Sequence, residues 1–179
     1  MKYDALLIID VQTALIEECP FDEKMMTSNI KRIMNTFREK NIPIIYVRHD
    51  GGKGDELEKG SRGWQIYDEI APEDNDKIID KKYNSAFRQT ELNQYLQVIG
   101  ARNIIICGMQ TEYCIDATCK VAFEMGYHVT IPKKATTTYD NDFAKAEDLL
   151  EYYEEKIWNN RYAQVLSVDE IITESLFVR

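Results

Sequence analysis

Three short stretches of this chain are almost wholly apolar, and that pattern limits the fold more than any other feature. They are residues 3–9 (YDALLII, ending at Asp10), 44–47 (IIYV) and 103–107 (NIIIC). A strand with one wet face alternates apolar and polar residues. A continuous run of this length marks a strand buried on both faces, as in a parallel sheet covered by helices. Segments with helical spacing lie between the runs. Met26, Ile30, Ile33, Met34 and Phe37 predict an amphipathic helix over 23–40, broken at Asn41-Ile42-Pro43. Leu92, Tyr95, Leu96 and Ile99 predict another, with Gly100 as its C-cap. Phe143, Ala146, Leu150, Tyr153 and Ile157 predict a third over 141–158. Further short strands are expected at Ile78–Asp80, 128–132 and 163–166, and a terminal helix from Val168 capped by Ser167. Strands alternating with helices imply an α/β fold in three layers, a mainly parallel sheet with helices on both faces. Its 179 residues are expected to form a single domain, 1–179.

Composition removes several function classes. The formal net charge is −9, which opposes a nucleic-acid surface or attraction to anionic membranes. No apolar run reaches the length of a membrane span, and the acidic N-terminus does not read as a signal peptide. The four cysteines, Cys19, Cys107, Cys114 and Cys119, contain no CxxC pair, and the only histidines are His49 and His128. They read as free thiols in a cytoplasmic protein, without a structural zinc site.

In a parallel sheet, ligands bind outside the carboxyl ends of the strands. Asp10, His49, Lys81 and the 108–114 segment all fall at such ends. The 103–125 stretch is read as strand, turn at Gly108, Thr111 as helix cap, and Cys114 in the first helical turn. There the helix dipole and unpaired N–H groups favour a thiolate and offer an oxyanion hole. A thiolate also needs a base and a cation. Asp10 is the candidate base, and Lys81 or the adjacent Lys82 the candidate cation.

Four segments carry a wider likeness: LLIIDVQ, YVRHDGG, DKKYNSAFRQTEL and ICGMQTEYCIDATCKVAFEMGYHV. Together they resemble the isochorismatase-like cysteine hydrolase family, which includes nicotinamidases and N-carbamoylsarcosine amidases. The resemblance runs from residue 5 to about 170. It implies a six-stranded Rossmann-like sheet and an Asp–Lys–Cys triad, placed here on Asp10, Lys81 (before Ser85-Ala86-Phe87) and Cys114. It also implies a cis peptide before Gln110, with the N–H groups of Gln110 and Cys114 facing an oxyanion, and a homodimer or homotetramer.

Departures from the family's named members matter as well. Nicotinamidases hold a metal with Asp and His residues after the second strand. This chain has only Arg48-His49-Asp50 there and no further histidine before His128, so no metal or other cofactor is expected. Isochorismatases that cleave a vinyl ether usually lack the cysteine. The expected activity is hydrolysis of a small amide or carbamoyl C–N bond through a thioester. A metal-dependent nicotinamidase or a non-catalytic binding protein on the same fold are the alternatives.

A haloacid-dehalogenase-like phosphatase is disfavoured because Gln12 stands where its second acid would be, and a dinucleotide site lacks its glycine fingerprint. Gln12 is expected to point into the pocket, Trp64 to wall it or meet a neighbouring subunit, and Tyr113 to line it. His49 is open between the rim of the site and a structural role. The 51–77 loop, polar and glycine-rich, is expected to set specificity.

Overall fold

The structure is a computed structural model and describes residues 3–176, so the two ends of the domain expected over 1–179 lie outside the described residues. The elements in chain order are β1 (Ala5–Ile9), α1 (Thr13–Glu17), α2 (Glu23–Glu39), β2 (Ile44–His49), β3 (Lys77–Lys81), α3 (Leu92–Val98), β4 (Asn103–Met109), α4 (Asp116–Glu124), β5 (His128–Pro132), β6 (Thr136–Thr137), α5 (Ala146–Tyr152), β7 (Gln164–Leu166) and α6 (Val168–Leu176). The sheet runs β3-β2-β1-β4-β5-β7, with β6 on β4, and every pairing between these strands is parallel.

The continuous apolar runs split by strand periodicity into two cores. Leu6, Ile8, Ile44 and Tyr46 face one side, where Ile30, Ile33 and Phe37 of α2 and Ile171 of α6 cover them. Ala5, Leu7, Ile9, Ile104 and Ile106 face the other, against Leu92 and Leu96 of α3, Cys119 and Ala122 of α4, and Trp158. The result is three layers, the α/β arrangement expected. Ser167 caps α6 as predicted: its Oγ exchanges hydrogen bonds with Glu170, accepting from the Glu170 N–H at 3.2 Å and donating to its carboxylate at 2.6 Å.

The six expected strands form the path of the sheet, and one short strand, β6, is added to it, its two residues too few to show any periodicity. Three local expectations fail, each for a physical reason. The chain does not turn at Gly108. Strand β4 continues through it to Met109, with Gly108 at φ +115° and paired to Ile9. Thr111 does not cap a helix. Residues Thr111–Ile115 form a π-helical turn, closed by the Ile115 N–H on the Gln110 carbonyl at 3.1 Å. The Thr111 hydroxyl instead reaches the Thr137 carbonyl at 3.2 Å.

Finally, residues 141–145 are not helical, and Phe143, placed on the apolar face of that helix by its spacing, is 99% exposed. Here Asn141 Oδ1 accepts from the N–H groups of Phe143 and Ala144, and Asp140 Oδ1 accepts from that of Ala146. These side chains offer the backbone an alternative to the helix. The remainder of the segment divides into α5 and a π-helical stretch, Tyr153–Trp158.

Candidate active site

Strands β1, β2, β3 and β4 end side by side, and their ends carry the groups singled out in the sequence. Asp10 follows β1 in the left-handed region (φ 53°), which Asp tolerates better than most residues, and its N–H bonds the Val47 carbonyl at 2.9 Å. His49 ends β2 and lies opposite Lys81, the end of β3. Beyond β4 the Met109–Gln110 peptide is cis, and the π-turn brings Cys114 back over the strand ends. Gly108 makes this crossing possible, since a Cβ there would sit 2.1 Å from the Ile9 carbonyl oxygen.

At the centre is the Lys81 ammonium. Its side chain is wholly buried, and Nζ lies 2.6 Å from Asp10 Oδ2, 3.1 Å from His49 Nδ1 and 3.2 Å from Cys114 Sγ. An ammonium has three donors, and each has an acceptor. The neighbouring Lys82 points outward with its side chain 73% exposed, 3.7 Å from Asp50, so the structure brings Lys81 and not Lys82 into the cluster.

Burial works against the Lys81 charge, but Asp10 and Cys114 outweigh it and hold the ammonium above the ordinary lysine range. Burial, joined by the Asp10 carboxylate, pushes the Cys114 thiol up to about 12 against the pull of Lys81. This opposes the pull toward thiolate that the sequence argument drew from a helix N-terminus. Burial first, and then Lys81, depress the His49 imidazole below its usual range. Asp10 Oδ1 is buried and has no hydrogen-bond partner among the described residues.

A cavity of about 300 Å³ opens onto this cluster, with Asp10, His49, Asn84, Gln110, Tyr113 and Cys114 on its walls. Gln110 and Tyr113 are therefore at the cavity, Tyr113 half exposed on its rim. Asn84 went unnoticed in the sequence, because a lone asparagine in a polar stretch carries no signal.

Gln12 and Trp64 are placed elsewhere. Gln12 is fully buried with both ends of its amide engaged: Nε2 donates to the carbonyls of His49 (3.0 Å) and Trp64 (2.9 Å), and Oε1 accepts from the His49 N–H (2.8 Å). Trp64 is buried under the Arg48 guanidinium, 3.5 Å above its ring. Arg48 and Lys59 both bind Asp80. These residues fasten the long loop to the strand ends.

Asp10, His49 and Cys114 present donor atoms within 4.8 Å of one another, a spacing that could bracket a metal ion. The point bonded to all three is already taken by the Lys81 ammonium, and a second cation there would meet its full charge. Asp50 is turned away, its Oδ1 accepting from the N–H groups of Gly52 and Lys59. The residues do not fit a resident divalent ion.

Residues 4–170 match the isochorismatase domain model. Among curated proteins, streptothricin hydrolase of Streptomyces noursei is 27% identical over 138 residues, 76% of this chain but only 50% of that protein. Nicotinamidase 3 of Arabidopsis thaliana is 28% identical over 159 residues, 81% of this chain and 78% of that one. Among solved structures, an isochorismatase family protein superposes with a TM-score of 0.85 at 31% identity, covering 91% of this chain and 97% of the other. Among the described residues, no helix is long and apolar enough to cross a membrane.

Proposed function

The chain belongs to the isochorismatase family of hydrolases, and from that premise we propose that it cleaves a small amide or carbamoyl C–N bond with Cys114 as nucleophile. The observation that carries this reading is the wholly buried Lys81 ammonium within hydrogen-bond distance of both Asp10 and Cys114.

Burial raises the thiol's pKa, so the sulfur needs a base beside it at the moment of attack. Asp10 supplies that base: its Oδ1 has no hydrogen-bond partner among the described residues, and Lys81 holds Oδ2. As Sγ bonds to the substrate carbonyl carbon, the thiol proton passes to Asp10, and Lys81 balances the charge leaving the carboxylate. The carbonyl oxygen becomes an oxyanion held by the N–H groups of Gln110 and Cys114. Collapse breaks the C–N bond, and Asp10 returns its proton to the departing nitrogen. A water then gives a proton to Asp10 and attacks the thioester, and the thiol leaves with that proton. Asn84 and Tyr113, which line the cavity, would contact the substrate.

A cavity of this size suits a small molecule. The test is a panel of small amides and carbamoyl compounds scored by ammonia release, with and without a chelator. Turnover is expected to survive the chelator and to vanish in Cys114→Ala. Full activity in Cys114→Ala would end the cysteine mechanism, and loss on chelation would revive a metal-dependent nicotinamidase.

A further inference from the structure

His49 has no part in the steps above, yet it takes one of the three hydrogen bonds of the Lys81 ammonium. Its placement is tightly built. His49 pairs with Lys81 across adjacent strands, and the Gln12 amide brackets it, accepting from its N–H and donating to its carbonyl. Gln12 is itself fully buried and tied to the Trp64 carbonyl. The ammonium can only donate, so Nδ1 must accept, and the proton of the neutral ring sits on Nε2.

We propose that neutral His49 is a positioning residue whose Nδ1 lone pair keeps the Lys81 ammonium aimed at Cys114 and Asp10 through the whole reaction, with Gln12 fixing His49 by its backbone. This rests on the reading of Cys114 as nucleophile. The reason lies in what happens to the other two acceptors. When Sγ bonds to carbon and Asp10 takes the proton, both weaken as acceptors of an N–H. His49 alone is unchanged between the resting enzyme, the tetrahedral adduct and the thioester. Without it, one N–H of a buried cation is orphaned, and the ammonium is free to turn away from the sulfur.

Protonation of His49 would abolish the lone pair and set imidazolium against ammonium. The groups facing the ring are Lys81 from β3, Asp10 beyond β1, Cys114 on the π-turn, and Asp50 and Asp55 from the loop. The three carboxylates favour protonation, but burial and Lys81 prevail. Reactivity is therefore expected to fall as pH drops through the depressed His49 titration, below the ordinary value of 6.5.

The test needs no substrate. Iodoacetamide alkylation of Cys114 is followed by peptide mass spectrometry, with exposed Cys19 as an internal reference thiol. His49→Asn retains an acceptor two bonds from Cβ, where Nδ1 stood; His49→Leu has none. The Cys114/Cys19 rate ratio is expected to stay within about threefold of wild type in His49→Asn and to fall roughly 10–100-fold in His49→Leu, the size of one orphaned buried donor. The ratio of wild-type to His49→Asn rates at Cys114 should also fall on the acid side.

A His49→Leu protein reacting like wild type, a His49→Asn protein as slow as His49→Leu, or no acid-side change in that last ratio would overturn the proposal. If His49→Leu fails to fold, His49→Gln, whose acceptor is displaced by one bond, takes its place with the same expected loss. Full turnover of an amide substrate by Cys114→Ala would instead overturn the nucleophile reading, and this proposal with it.

Discussion

A lysine ammonium taken wholly out of water is tolerable only when its charge is matched and its donors are spent, and Lys81 meets both conditions through Asp10, His49 and Cys114. The match is mutual, because Lys81 also covers the charge of an Asp10 that is 2% exposed. Lys81→Met should therefore destabilise the protein by roughly 3–5 kcal/mol, since it leaves a buried carboxylate uncompensated. The double variant Asp10→Asn/Lys81→Met should recover much of that loss while remaining inactive. Urea midpoints of the three proteins decide it; a double variant no more stable than the single one would refute the pairing. The sequence could not separate Lys81 from Lys82 on local grounds, because both stand at a strand end. Strand geometry separates them, sending neighbouring side chains to opposite sides. Gln12 misled for a related reason: its amide looked free to meet a substrate, and only the folded loop reveals that the backbone of His49 and Trp64 uses all of it.

At the scale of elements, backbone geometry decides more than side-chain chemistry. Gly108→Ala would put a methyl group 2.1 Å from the Ile9 carbonyl oxygen at a φ of +115°. It should cost more than about 2 kcal/mol and displace β4 from β1 where Cys114 is presented. Both the denaturation midpoint and Cys114 alkylation should report it. Ser167→Ala removes the cap of α6 and should cost about 1 kcal/mol with no effect on alkylation. Elements defined by repeated apolar spacing, such as β1, α2 and β4, were legible in the sequence, because each is specified by many residues pointing the same way. The π-turn at 111–115, the two-residue β6 and the unwound 141–145 segment were not. Each is decided by one or two hydrogen bonds to partners far along the chain or by an Asx turn, and no periodicity announces them.

Across the whole molecule, burial of acidic protons sets a limit at high pH. Burial raises the thiols of Cys114 and Cys119 to about 12, and that of Cys107 further still. It also raises the hydroxyls of Tyr3, Tyr46 and Tyr139. In the unfolded chain these thiols lose their protons near their ordinary 9.0. Between there and about 12 the folded state binds more protons than the unfolded one, so stability falls as pH rises. Below the unfolded value the contribution is constant. Urea midpoints should be level from about pH 7 to 8.5 and then decline; a midpoint unchanged to pH 11 would contradict the assignment.

The order β3-β2-β1-β4 has a further consequence, for the order of events in folding. Lys81 meets Asp10 across 71 residues and Cys114 across 33, so no fragment shorter than residues 10–114 holds the cluster. Each meeting depends on strand register, because a slip of one residue would turn Lys81 out of the site. Loop closure must be paid before such distant contacts give anything back. The dependence of Cys114 alkylation on His49 should thus be absent from partly folded chains and return only when all four strands are aligned, making this one thiol a chemical clock for completion of the sheet.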